Sequence, residues 1–126
     1  MVIEIHSFEK YENYIKDITV DHNYTDPHFL YCSDNLYGAL KKENHKAYIT
    51  SQNEEVVGLF VWLIVPEENY IEMIIGLTRL ETAFEEMLSF IEEEYPHFQM
   101  DFVINPKNYA IRYVLEERQA AFTKHD

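Results

Sequence analysis

The chain is poor in basic residues. It has 10 lysine and arginine residues against 23 aspartate and glutamate residues, and its formal net charge is -13 over 126 residues. A surface with this balance is repelled by the phosphates of nucleic acids and by anionic membranes. We therefore expect neither as a direct partner. Any anionic ligand must be held by local donors, such as backbone N–H groups.

Cysteine and long apolar segments are also scarce. The single cysteine, Cys32, excludes a disulfide within the chain, and a half-buried structural thiol is favoured over a nucleophile. No apolar run reaches the ~18 residues that a membrane span needs. The first residues, Met1–His6, lack the basic region and apolar core of a signal peptide, so we expect a cytoplasmic protein.

The residues that are present predict one α+β domain covering residues 1–126. A hydrophobic content of 47% and an aromatic content of 15% favour a packed core. Alternating or continuous apolar residues predict strands. These strands cover Val2–His6, Lys46–Ser51, Val56–Val65, Tyr70–Leu77 and Gln99–Ile104. Helical spacing predicts helices over Phe8–Ile18, Asp34–Lys42, Leu80–Tyr95 and from about Asn105 to Arg118, with a loop or broken helix over Asp21–Ser33.

Polar residues mark the starts of the last two predicted helices. Thr78 is predicted to cap the first of them, with Glu81 completing a capping box. Asn105 is predicted to cap the second, because Pro106 behind it suits a first helical position.

Motifs for metal, nucleotide and hydrolase chemistry are missing. The six histidines form no H-x-x-x-H pair, so no metal site is predicted. The glutamates of the predicted helix Leu80–Tyr95 are interpreted as its solvated face. The chain also contains no G-x-S-x-G, P-loop or G-x-G-x-x-G motif.

Three short motifs follow one another along the chain: V-V-G-L-F at Val56–Phe60, Y-I-E-M-I-I-G-L at Tyr70–Leu77 and N-P-K-N-Y-A-I at Asn105–Ile111. Together they resemble the GNAT superfamily of N-acetyltransferases. The first is similar to the start of that family's third strand, and the second to its fourth strand, which runs along the acyl-CoA. The third is similar to the start of its last helix. The resemblance implies an acyl-CoA N-acyltransferase-like mixed sheet, mostly antiparallel, with helices on both faces. It also implies that the usual C-terminal hairpin is lacking, since little sequence follows Phe122.

The resemblance implies transfer of an acetyl group from acetyl-CoA to a small amine of unknown identity. Glu72 would be the catalytic base, directly or through water; the other interpretation is a carboxylate on the solvent side of a half-covered strand. Backbone groups of the fourth strand would hold the pantetheine arm, and the start of the next helix would hold the pyrophosphate. The residues expected to bind acetyl-CoA are Ile74, Ile75, Gly76, Thr78, Arg79 and Asn108.

The sequence departs from the family pattern at several positions. With Arg79 at the first position of the family's Q/R-x-x-G-x-G/A loop, Thr82 and Phe84 stand where small residues are usual, and we expect them to crowd a pyrophosphate. The tyrosine that often protonates the leaving thiolate is replaced by Leu115, and nearby Tyr113 lies on another helical face.

These departures favour an alternative function. The chain would be a catalytically inactive acetyltransferase-like module that binds a protein partner or pairs with itself. Without the hairpin, the strand Gln99–Ile104 would lie at a sheet edge, where exposed backbone groups recruit another strand. We therefore expect a homodimer through this edge, or an edge that is covered.

Overall fold

The structure is a computed structural model that describes residues 1–24 and 38–118. Its strands are β1 (Val2–Ile5), β2 (His45–Gln52), β3 (Glu55–Val65), β4 (Tyr70–Thr78) and β5 (Gln99–Phe102). Its helices are α1 (Glu12–Thr19), α2 (Glu81–Glu94) and α3 (Tyr109–Glu117). Short 3₁₀ turns lie at Glu9–Tyr11, His22–Tyr24 and Pro66–Glu68. The predicted α+β class is confirmed.

The strands that the structure describes form one open sheet in the order β1-β2-β3-β4-β5. Neighbours from β1 to β4 are antiparallel, whereas β5 is parallel to β4. A parallel neighbour needs a crossover connection, which here is α2. The prediction of a mixed, mostly antiparallel sheet is confirmed.

A β-bulge divides β4 into two halves. Val61 of β3 lies opposite Ile75, but the next residue, Trp62, lies opposite Met73, so Ile74 is an extra residue in β4. The extra residue reverses the inside–outside alternation of the strand. Ile71 and Met73 therefore belong to one buried cluster, and Ile75 and Leu77 belong to the other.

Helices cover both faces of the sheet, as predicted. On one face, Ile15 and Ile18 of α1 pack with Leu59 and Val61 of β3. On the other face, α2 and α3 pack against the alternate residues of β3, including Trp62. Burial of β3 on both sides explains why it is apolar at nearly every position.

The predicted start of the last helix is wrong. Helix α3 begins at Tyr109, and its N-cap is Asn108, whose side chain accepts a 3.3 Å hydrogen bond from the Ile111 N–H. Asn105 instead opens the preceding turn. Its side chain accepts from the Lys107 N–H at 3.0 Å, and its carbonyl accepts from the Asn108 N–H at 2.9 Å. Asparagine suits both positions, and the turn satisfies the backbone at the first one.

The predicted capping box at α2 is also wrong. The N-cap of α2 is Leu80, and no side chain caps the helix from that position. The Thr78 hydroxyl accepts the Leu80 N–H at 3.1 Å and donates to the Val57 carbonyl at 2.7 Å. Thr78 thus joins the end of β4 to β3 and fixes the chain one residue before the helix.

Some predictions concern residues outside the described ranges. They include Cys32, the first four residues of the predicted helix Asp34–Lys42, most of the loop Asp21–Ser33, and the region where a C-terminal hairpin was expected to be lacking. The described part of the predicted helix contains a turn in which the Lys41 N–H donates to the Gly38 carbonyl at 3.0 Å. Within residues 1–24 and 38–118, no helix combines the length and apolar character needed to cross a membrane.

Candidate functional site

The sheet opens between β4 and β5. The two strands pair only from Tyr70 opposite Gln99 to Met73 opposite Phe102. One further hydrogen bond joins the Val103 N–H to the Met73 carbonyl at 3.1 Å. We call this last hydrogen bond the vertex. Beyond it β4 continues through the bulge to Thr78, whereas the segment that follows β5 is no longer part of the sheet. We call the space beside this second half of β4 the β4 opening.

Backbone groups of β4 point into the β4 opening. The Leu77 carbonyl accepts a 2.9 Å hydrogen bond from the Tyr14 hydroxyl, so it faces away from β3. Groups of an antiparallel strand alternate in direction, and Ile75, two residues earlier, therefore faces the same side. In the described part of the chain, no hydrogen bond crosses the opening to Ile75.

Helix α1 is tied to the end of β4. The Arg79 guanidinium donates to the Asp17 carboxylate at 3.2 Å and to the Asp17 carbonyl at 3.1 Å. It also lies over the Tyr24 ring, 5.2 Å from the ring centroid, which is a cation–π distance. Burial raises the pKa of the Tyr14 hydroxyl far above its ordinary value, although the nearby Arg79 charge acts to lower it. The hydroxyl therefore keeps its proton and remains a donor.

A surface pocket lies where α1, β3 and the start of α2 meet. Its volume is about 270 Å³, and it is lined by Tyr14, Asp17, Val56, Val57, Arg79 and Leu80. The first α-helical hydrogen bond runs from the Phe84 N–H to the Leu80 carbonyl at 3.3 Å. The N–H groups just before it belong to the positive end of the helix dipole, which favours an anion.

The predicted crowding of this helix start by Phe84 is wrong. Phe84 is fully buried and stacks on Phe60, with ring centroids 6.1 Å apart. It lies on the apolar face of α2 with Met87, so its ring points into the core. Thr82 is exposed at the helix start, and its hydroxyl accepts a 3.1 Å hydrogen bond from the Gln52 amide.

Gly76 faces α3 across tightly packed side chains. A Cβ at this position would lie 2.7 Å from Met73 Cε and 3.0 Å from Ile111 Cδ1. Both neighbours are buried. A side chain at this position would therefore require Met73 or Ile111 to shift, and glycine avoids that contact.

Glu72 lies one residue before the vertex. It is half-buried and sits between Leu63 of β3 and Asp101 of β5 in the sheet register. Because Ile71 and Met73 face α2 and α3, Glu72 faces the α1 side. Other acidic groups lie nearby: the Tyr70 hydroxyl donates to Asp101 at 3.0 Å. Burial, that hydrogen bond and the charge of Glu72 raise the pKa of Tyr70 to about 12.

Residues of α3 contribute less to the site than the sequence suggested. The Asn108 side chain is buried and caps α3, so its carbonyl oxygen already has a partner. Tyr113 is 49% exposed and stacks on Tyr109 at 5.4 Å on the outer surface of the helix. As expected from helical geometry, Tyr113 does not face the β4 opening. Ile111 is the α3 residue that lies against β4 there.

The structure thus brings together most of the residues expected to bind a ligand. Glu72 lies one residue before the vertex, and the second half of β4 and the residue after it supply Ile74, Ile75, Gly76, Thr78 and Arg79. Asn108 is separate, since its side chain serves the helix. Tyr14 and Asp17 were missed, because the contact between Tyr14 and Leu77 joins residues 63 positions apart and no local pattern marks it.

Comparisons with known proteins identified no relative of this chain. No protein-family model matches the chain, and no curated protein or solved structure matches it either. Within residues 1–24 and 38–118, no group of three or more His, Cys, Asp or Glu side chains is arranged to hold a metal ion.

Proposed function

We propose that the chain binds acetyl-CoA in the β4 opening and transfers its acetyl group to a small amine. The observation that carries this proposal is the separation of β4 from β5 near the Ile74 bulge, beyond which the described residues include no strand that pairs with the backbone of Ile75 and Leu77 on that side. The resemblance of Tyr70–Leu77 to the acyl-CoA-binding strand of the GNAT superfamily supports the same ligand.

The pantetheine arm of CoA suits an open strand edge. It is extended and contains amide groups, so it can pair with a strand as an added peptide segment does. Unpaired backbone groups need a partner, and the ligand would supply one to Ile75. The Leu77 carbonyl already accepts from Tyr14, and the ligand would share or replace that bond.

The pyrophosphate would lie at the start of α2. N–H groups of its first turn and the Arg79 guanidinium offer local positive charge in a chain whose net charge is -13. Arg79 also contacts Asp17, which reduces its charge toward the ligand. Thr82 replaces one of the small residues of the family loop, and Glu81 adds a negative charge beside it; both side chains are exposed and able to move aside.

The reaction needs a base near the vertex, and we assign this role to Glu72, which lies one residue before the vertex. A neutral amine attacks the thioester carbonyl, and Glu72 takes the proton that the nitrogen loses, directly or through water. The tetrahedral oxyanion is stabilised by a backbone N–H of β4. The C–S bond then breaks, the amide is released, and the thiolate takes a proton from solvent.

Ligand binding to the folded chain tests the first half of this proposal. CoA and acetyl-CoA at 1 mM should raise the melting temperature, because a ligand at 100 times its Kd stabilises by about 2.7 kcal/mol. Pantetheine without the nucleotide should stabilise less, and ATP without the pantetheine arm should stabilise less as well. An unchanged melting temperature with both CoA and acetyl-CoA contradicts the proposal.

A second function is favoured by a different observation. β5 is the outermost described strand on its side of the sheet, and the Gln99 and Val103 N–H groups point inward to β4. Those of Met100 and Phe102 therefore point outward, which would suit pairing with a second copy in an inactive, self-associating module. Sedimentation equilibrium distinguishes the two. A dimer that Met100→Pro disrupts supports pairing through this edge, whereas a monomer at 100 μM contradicts it.

A further inference from the structure

The β4 opening is closed on its α3 side. Met73 Sδ would lie 3.0 Å from a Cβ at Gly76, and Met73 Cε would lie closer, at 2.7 Å. Ile111 Cδ1 would lie 3.0 Å from the same Cβ, and we call the Met73 and Ile111 side chains the floor of the opening. These distances are below the ~3.5 Å of an ordinary carbon–carbon contact, so no group fits between the backbone of Gly76 and the floor.

The floor lies close to the vertex. The Met73 carbonyl accepts the hydrogen bond from the Val103 N–H, which is the last one between β4 and the segment that follows β5. Helix α2 follows the opposite end of β4. A CoA molecule with its pyrophosphate at α2 and its arm along β4 therefore directs its acyl group toward the vertex and this floor.

A long acyl chain at the vertex finds only one direction that the described residues leave free. The hydrogen bond between Val103 and Met73 closes the end of the opening, and Met73 and Ile111 close its α3 side. Both side chains are buried in a packed core, which does not yield without cost. The remaining direction is the α1 side, where Glu72 lies and from which the amine must approach.

We propose that Met73 and Ile111 restrict the site to short acyl groups, acetyl or propionyl, and that chains of four or more carbons are excluded. This inference rests on the proposed function. It names the class of acyl donor and the two side chains that select it.

The binding of a chain-length series tests the inference. CoA, acetyl-CoA, propionyl-CoA, butyryl-CoA and hexanoyl-CoA are titrated into the wild-type protein by calorimetry. We expect similar Kd values for the first three and a Kd at least ten times higher for hexanoyl-CoA. If the acyl chain instead lay on an apolar surface with room for it, affinity would rise with chain length, because each buried methylene tightens binding about 4-fold.

A matched pair of variants assigns the selection to the floor. Ile111→Ala removes the Ile111 Cδ1 atom, which would lie 3.0 Å from a Cβ at Gly76, and we expect butyryl-CoA to bind at least ten times more tightly than to the wild type. Val114→Ala shortens another buried residue of the same helix that is not among the nearest neighbours of Gly76, and the cut-off should stay unchanged. Circular dichroism checks that both variants fold. If Ile111→Ala does not fold, the chain-length series on the wild-type protein alone tests the restriction.

The outcomes separate this inference from the function beneath it. If CoA and acetyl-CoA bind but affinity rises with chain length, the restriction is overturned and the acetyl-CoA site stands. Equal shifts in both variants overturn the role of Ile111. If no member of the series binds, the proposed function fails and the restriction fails with it.

Discussion

The Tyr14 hydroxyl on α1 donates a 2.9 Å hydrogen bond to the Leu77 carbonyl on β4. This carbonyl faces the β4 opening, where the arm of a bound CoA would need it as an acceptor. Tyr14 thus supplies a hydrogen-bond donor to this strand edge, and it would compete with a ligand that bound there.

Tyr14→Phe should lower stability and strengthen CoA binding. Loss of the hydroxyl leaves a part-buried carbonyl without its donor, which costs about 1–3 kcal/mol of unfolding free energy in urea titrations. The freed Leu77 carbonyl can then accept from the ligand, and calorimetry should show a lower Kd for CoA. Tyr11→Phe, on the preceding turn, is the control and should leave the Kd unchanged. Weaker binding by Tyr14→Phe would mean that the hydroxyl contacts the ligand instead of competing with it.

Tyrosine ionisation should make the fold unstable in alkali. Burial raises the pKa of Tyr14 and Tyr48 far above 10, and the pKa of Tyr70 rises to about 12. Their pKa values are higher in the folded state, so the unfolded chain loses these protons first as the pH rises. Their contribution to stability is therefore complete below pH 10 and declines above it. The slope is about 1.4 kcal/mol per pH unit for a buried tyrosine.

Urea unfolding between pH 8 and pH 11.5 measures this decline. Tyr14→Phe should show a shallower loss of unfolding free energy above pH 10 than the wild type, because one buried ionisable phenol is missing. Parallel curves for the two proteins would contradict a raised Tyr14 pKa in the folded state.

Two glycines should respond in opposite ways to alanine. Gly76→Ala places a methyl group against Met73 and Ile111, and overpacking of this kind costs about 1–3 kcal/mol. Gly38→Ala is the matched control, because a Cβ at Gly38 meets no atom within 4 Å. Alanine there should be neutral or stabilise by up to about 1 kcal/mol, since it restricts the unfolded chain. Equal urea midpoints of unfolding for the two variants would show that the Met73 and Ile111 side chains can move to accommodate the methyl group.

Much of this fold is predictable because its elements repeat clear patterns. Strand β3 is long and apolar, and α2 carries apolar residues at helical spacing, so both were predicted to within two residues of their bounds. The bulge in β4 was not predictable. Consecutive apolar residues Met73, Ile74 and Ile75 fit either face of the sheet, and only pairing with β3 selects the extra residue.

The site was predictable only where it follows one strand. The β4 residues lie together because they are neighbours in the chain. Asn105 and Asn108 both suit a helix cap, and tertiary contacts decide between them: the Asn105 amide donates to the His22 carbonyl at 2.9 Å. Arg79 was expected at the site, but its partner Asp17 lies 62 residues away and has no sequence signature.

Arg79→Gln should weaken CoA binding more than it weakens the fold. Its ion pair with Asp17 is well exposed, and such pairs contribute about 0–1 kcal/mol. The Kd for CoA should rise about tenfold, with a smaller dependence on salt, because one positive charge near the pyrophosphate is lost. Arg112→Gln breaks a comparable ion pair, with Glu116, on α3 and should leave the Kd unchanged. Equal Kd values for the two variants would place the pyrophosphate away from Arg79.

Glu72→Gln should slow acetyl transfer without weakening acetyl-CoA binding. The amide keeps the size of the side chain but cannot take a proton from the attacking amine, and loss of a general base reduces kcat about 10²–10⁴-fold. The measurement is thiol release from acetyl-CoA with a set of small amines, together with the Kd for acetyl-CoA. Asp101→Asn changes the neighbouring carboxylate, which accepts from Tyr70, and should reduce kcat far less. If Glu72→Gln retains full activity, Glu72 is only a carboxylate on a half-covered strand; if it loses acetyl-CoA affinity instead, Glu72 supports the site and is not its base.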